Sequence, residues 1–131
     1  MHNCCGFVQE GFFEMKEDNV IVVKSMNFAI RIVKLYKFLT ESKKEYVLSK
    51  QVLRSGTSIG ANVKEGIRGQ TKPDFVSKMS IALKEASETE YWLELLYKTD
   101  YLEEKQYNSI NSDCEELIKI LVSIVKTCKS E

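Results

Sequence analysis

The chain has 131 residues, 44% of them hydrophobic and 29% charged, and its 19 basic and 19 acidic side chains cancel to zero net charge. That composition suits one globular domain and excludes a disordered chain. With a single proline and six glycines it also lacks the turn signals a many-stranded β protein needs, and no apolar run approaches the ~18 residues of a membrane span.

Residues 1–18 show no helical periodicity and are expected to form an N-terminal extension without fixed structure, although Phe7, Val8, Phe12 and Phe13 are large enough to lie against a core. Because Met15 directly precedes the periodic region, the first fourteen residues read as an upstream extension or a misassigned start. They lack the basic start, apolar stretch and cleavage site of a secretory signal, so a cytoplasmic location is expected.

The remaining residues, 19–131, read as one bundle domain of four helices, expected at about 19–41, 46–69, 72–99 and 102–129. Asn19, following Glu17 and Asp18, is the expected N-cap of the first helix. Its apolar positions fall into two adjacent rows, Val22, Met26, Ala29, Val33 and Tyr36, and Phe28, Ile32, Leu35 and Leu39, which together make a wide face. The second helix carries Leu48, Val52, Ser55, Ile59, Val63 and Gly66 along one side. Gly69-Gln70-Thr71 breaks it, and Pro73 fits the first turn of the third helix.

Phe75, Met79, Ala82, Ala86, Thr89, Leu93 and Leu96 give the third helix strict alternation of four and three. Tyr107, Ile110, Cys114, Leu117, Leu121, Ile124 and Cys128 do the same for the fourth. Stripes of this kind pack as in bundles, and connections of a few residues force consecutive helices to turn back on each other. The expected fold is therefore all-α, an antiparallel up-down-up-down four-helix bundle.

Little in the chain suits catalysis. The only histidine is His2, and no nucleophile has a base at a supporting spacing. Ser55-Gly56-Thr57-Ser58-Ile59-Gly60 lacks the Gly-Lys-Ser/Thr ending of a phosphate loop. Cys4 and Cys5 beside His2 do not make a zinc site, and Cys114 and Cys128 are roughly 21 Å apart on one helix, too far for a disulfide. No enzyme activity, cofactor, metal or small-molecule substrate is expected. The remaining catalytic alternative is a Mg²⁺-dependent nuclease using Glu85, Glu88 or Glu90.

Three other patterns bear on function. Gly56 and Gly60 are each costly in a helix by about 1 kcal/mol, which points to close approach of a neighbouring helix or subunit. Gln51, Arg54, Ser58, Asn62 and Glu65 make a polar stripe facing a mixed one, Ile81, Glu85, Glu88 and Trp92; either Arg54 pairs with Glu85 or Glu88 to fix helix register, or the stripe binds a ligand or partner. Charge is also segregated, with residues 19–84 at +9 and residues 85–131 at −6. Lys24, Arg31, Lys34, Lys37, Lys43, Lys44, Lys50, Lys64, Arg68 and Lys72 are the candidates for phosphate contact with RNA or DNA. Alternatively they form a solvated face, or the basic helices of one subunit meet the acidic helices of the next in a ring.

A family resemblance rests on Lys24-Ser25-Met26-Asn27-Phe28-Ala29, on Gln51-Val52-Leu53-Arg54-Ser55 leading to Ser58-Ile59-Gly60-Ala61-Asn62-Val63-Lys64-Glu65-Gly66, and on Asp74-Phe75, Ile81-Ala82 and Glu88-Thr89-Glu90-Tyr91-Trp92-Leu93. Over about residues 15–128 the chain resembles the four-helix-bundle proteins encoded in intervening sequences of bacterial 23S rRNA genes. That family is similar in fold to the accessory variability determinant of diversity-generating retroelements, which works with a reverse transcriptase and nucleic acid. The resemblance implies a bacterial, cytoplasmic homo-oligomer, a pentamer, with no established biochemical activity for the intervening-sequence branch. The expected function is a non-enzymatic oligomeric bundle contacting RNA or DNA through its first two helices. The alternative is a protein-interaction scaffold with no nucleic-acid role.

Overall fold

A computed structural model of the chain describes residues 12–130, with side chains from Val20 onward; the expectations for residues 1–11 lie outside the described residues. Four helices, α1 (Phe12–Glu41), α2 (Leu48–Ile67), α3 (Lys72–Lys98) and α4 (Glu104–Lys129), make up an all-α bundle. Short loops join them and each packs on the next in sequence, with α1 meeting α4 to close the bundle less tightly than the other seams, as up-down-up-down order requires.

Helix α1 starts earlier than the sequence suggests. Asn19 is not its N-cap but an interior residue, because Phe12 to Asn19 contains no glycine or proline and Glu14, Met15, Lys16 and Glu17 all favour helix. The other starts follow side-chain caps. Glu45 accepts from the backbone N–H groups of Val47 (3.1 Å), Leu48 (2.8 Å) and Ser49 (2.7 Å), which places the start of α2 at Leu48 rather than Tyr46. Thr71 accepts from Asp74 N–H ahead of Pro73 in α3. Glu103 and Gln106 form a reciprocal capping box, so α4 starts at Glu104 rather than 102.

Helix α3 ends in a Schellman turn. Asp100 has φ 73°, and Tyr101 N–H donates to Leu96 O (2.9 Å) while Asp100 N–H donates to Tyr97 O (3.1 Å).

The core uses the expected seams of α3 and α4 in full apart from the half-buried Tyr107, together with Ser49, Val52, Ser55, Ile59 and Val63 of α2. On α1 only one of the two apolar rows is inside. Ile21, Phe28, Ile32, Leu35 and Leu39 are buried, whereas Met26 and Val33 of the other row are exposed. At 3.6 residues per turn Met26 and Val33 lie roughly 120–140° from the centre of the buried row, beyond the ~100° stripe a bundle helix turns inward.

Candidate functional site

Arg54 joins α2 to α3. Its Nη1 donates to Glu85 Oε1 at 3.2 Å and its Nη2 to Glu88 Oε2, and Trp92 Nε1 donates to the same Glu88 oxygen at 2.9 Å. Beneath this group Ser55 and Thr89, both fully buried, are bonded through their hydroxyls at 2.8 Å. Of the rest of the polar stripe, Glu65 also reaches α3, whereas Ser58 and Asn62 bond within α2. Ser58 Oγ donates to Arg54 O (2.6 Å) and Asn62 Nδ2 to Ser58 O (2.8 Å), both within α2, while Glu65 pairs with Lys78 at 2.9 Å. The geometry is therefore that of an inter-helix clamp centred on Arg54, with Glu85, Glu88 and Trp92 as its other members.

The glycines mark close helix crossings within the chain. A β-carbon at Gly56 would lie 2.7 Å from Ile32 Cγ1, and one at Gly60 would lie 3.4 Å from Ser25 O, so α1 rests directly on α2. Outside that crossing, Gly60, Ala61 and Thr57 line a shallow groove with Val22, Met26 and Ala29 of α1. This groove continues onto the outer side of α1, where Val23 (57% exposed), Met26 (54%), Ile30 (46%) and Val33 (38%) form an extended apolar surface. Apolar surface beyond a helix's core-facing stripe is the pattern of a face that packs against something else; the polar side of α1 holds Lys24, Asn27, Arg31 and Lys34. Two complete apolar rows on α1, more than one bundle core accommodates, were the signal in the sequence, where both rows read as one inward face.

The ten basic candidates divide into three sets. Lys24 pairs with Glu116 at 3.0 Å and Arg31 with Asp113 at 2.8 Å, so part of the basic-to-acidic complementarity is satisfied between α1 and α4 of one chain. Lys34, Lys37, Lys43, Lys44 and Lys50 are exposed near the α1–α2 turn; Lys43 also lies over the Phe38 ring at 5.8 Å. Lys64, Arg68 and Lys72 sit at the opposite end of α2, about 21 Å from Lys50 for Lys64. They form no single continuous patch.

Glu45, not singled out from the sequence, is the most committed carboxylate. Burial alone would raise its pKa, but the three backbone N–H groups and the Ser49 hydroxyl outweigh that and hold it below the usual carboxylate range. Its signal was a glutamate just ahead of an apolar helical run. Cys114 is the opposite case: burial first, then Glu90 and Glu115, push its thiol up to about 12, and its Sγ donates to Ala86 O at 3.3 Å. It and Cys128 are buried core thiols rather than nucleophiles. Burial, then Glu94, Glu90 and Glu115, also raise the Tyr107 hydroxyl, whose ring stacks on Tyr97 at 4.6 Å.

Among the described residues no three His, Cys, Asp or Glu side chains converge as a metal site, and no helix is long and apolar enough to cross a membrane. Glu85 and Glu88 are both held by Arg54.

A crystal structure of a protein of unknown function from the S23 ribosomal protein family of Bacteroides thetaiotaomicron is similar to this chain, with 59% identity and a TM-score of 0.83 over 84% of this chain and 98% of that one. No curated protein matches the chain. The sequence model of the 23S rRNA-intervening sequence proteins matches residues 17–123, which contain the clamp, the glycine crossings and nearly all of the four helices: the chain belongs to the 23S rRNA-intervening sequence protein family.

Proposed function

We propose that this chain is a non-enzymatic subunit that assembles with copies of itself through the outer face of α1. The observation that carries the reading is that apolar surface of Val23, Met26, Ile30 and Val33, continuous with the small-residue groove on α2. Exposed contiguous apolar surface on a protein of this size is characteristic of an interaction site. The family resemblance supports a pentamer in a bacterial cytoplasm. In a closed ring each interface is heterologous, so the outer face of α1 on one subunit meets a second, different face of the next.

The exposed lysines flanking the α1–α2 turn supply the second part of the reading, contact with the phosphates of RNA or DNA. A ring repeats this basic group around its rim, where several weak contacts act together. A reverse-transcriptase-like protein is the partner class that the resemblance suggests. A scaffold binding only protein is the alternative, and the segregation of charge within one chain favours it to the extent that Lys24 and Arg31 are already paired.

Light scattering tests assembly. The wild-type chain gives the mass of a pentamer, and the Met26→Glu, Ile30→Glu double variant gives a folded monomer with the same helical content. A monomeric wild type overturns the assembly reading. For the second part, affinity for RNA falls steeply as salt rises; absence of binding at low salt leaves the scaffold reading.

A further inference from the structure

The loose seam between α1 and α4 opens at one end into a cleft of about 600 Å³, within the range of small-molecule sites. Its apolar wall is made by Leu35 and Phe38 of α1 with Leu102, just before α4, and Ile110 in the second turn of α4. Leu35, Leu102 and Ile110 are nearly fully buried, so the cleft reaches down to the core.

Its polar residues are unequally free. Arg31 is committed, donating to Asp113 at 2.8 Å and to Ser109 Oγ at 3.1 Å. Glu103 caps α4, and the Gln106 side-chain oxygen accepts from Glu103 N–H. Lys34 and Lys105, in contrast, are exposed and have no ion pair among the described residues. Two donors also remain on the wall, the Gln106 amide NH₂ and the Ser109 hydroxyl. The cleft thus offers an apolar wall, two hydrogen-bond donors and two free ammonium groups, and it calls for an anion with an apolar body that carries acceptors.

Size narrows the choice. From Arg31 to Phe38 the cleft follows two turns of α1, about 10 Å. A long acyl chain overruns the cleft and leaves both donors unpaired. A nucleobase has a flat apolar face and acceptors on its edge, and its phosphate supplies the anion.

We propose that the α1/α4 cleft binds a single nucleotide, with the base against Leu35, Phe38, Leu102 and Ile110 and the phosphate at Lys34 and Lys105. This site is separate from the apolar outer face of α1; it shares only Lys34 with the surface lysines and does not require them to hold a longer nucleic acid.

The test is a titration of the full-length protein with adenosine 5′-monophosphate, followed through backbone amide resonances, with adenosine and decanoate as comparison ligands. Adenosine 5′-monophosphate shifts the Leu35, Phe38 and Ile110 amides saturably, adenosine binds more weakly, and Lys105→Glu weakens the nucleotide by about tenfold, the scale of one lost charge-assisted contact. Ser109→Phe, a change at an exposed position on the wall, removes nucleotide binding while salt-sensitive RNA binding persists. The proposal is overturned if millimolar nucleotide leaves those amides unmoved, if adenosine binds equally well, or if decanoate is preferred. In the wild-type protein, no nucleotide binding alongside intact RNA binding sinks the cleft alone, and no RNA binding alongside intact nucleotide binding sinks only the surface reading.

Discussion

Gly56 on α2 sits so close to Ile32 on α1 that a β-carbon at position 56 would fall 2.7, 2.9 and 2.9 Å from Cγ1, Cδ1 and Cγ2 of the isoleucine. All three atoms belong to a fully buried, β-branched side chain with little rotamer freedom, so it cannot move aside cheaply. Gly56→Ala forces the two helices apart.

That variant loses about 1–3 kcal/mol of stability despite alanine's better helix propensity, as read from denaturant midpoints. Combining it with Ile32→Ala makes room for the new methyl group, so the double variant loses less than the sum of the single changes. Additive losses would place the strain elsewhere.

Glu45 makes stability depend on acidity. Its folded pKa lies below the ordinary carboxylate value, so its contribution is complete at neutral pH and is lost as pH falls through the depressed folded value. Glu45→Gln keeps the shape but removes the charge, weakening the cap on Val47, Leu48 and Ser49 by about 1 kcal/mol. Thermal unfolding from neutral to acid pH reads both effects. The gap between wild type and variant closes as the wild-type carboxylate is protonated, and a gap constant with pH contradicts the assignment.

Arg54 is half-exposed, and so its ion pairs with Glu85 and Glu88 contribute modestly. Arg54→Met leaves the bundle folded and costs about 1 kcal/mol, while freeing Glu88 alters the environment of Trp92 and shifts its fluorescence. Loss of assembly in a folded Arg54→Met protein would give the clamp a role beyond register. Global unfolding would make it a far larger contributor to stability than a surface pair.

How much of this was legible beforehand differs from helix to helix. The threes and fours of α3 and α4 named nearly every buried residue, because each carries one apolar row and a helix with one row has one way to face a core. On α1 two rows compete, and periodicity has no means of ranking them; the row beginning at Ile21 is inside because it meets Gly56 and its neighbours across the crossing. The one cap read from the sequence, Asn19, lies inside α1, and neither Thr71 nor Glu45, which reaches forward to three N–H groups, was read as a cap.

The sequence by itself determined the four helices, the bundle class, the family and the pairing options of Arg54, since each depends on spacing along a single helix or on local motifs. Only the tertiary structure decided which apolar row of α1 is left outside, which basic residues are already paired, and that α1 and α4 part to form a cleft. Those outcomes depend on distances between segments far apart in the chain, which the packing of buried side chains sets and no local periodicity encodes.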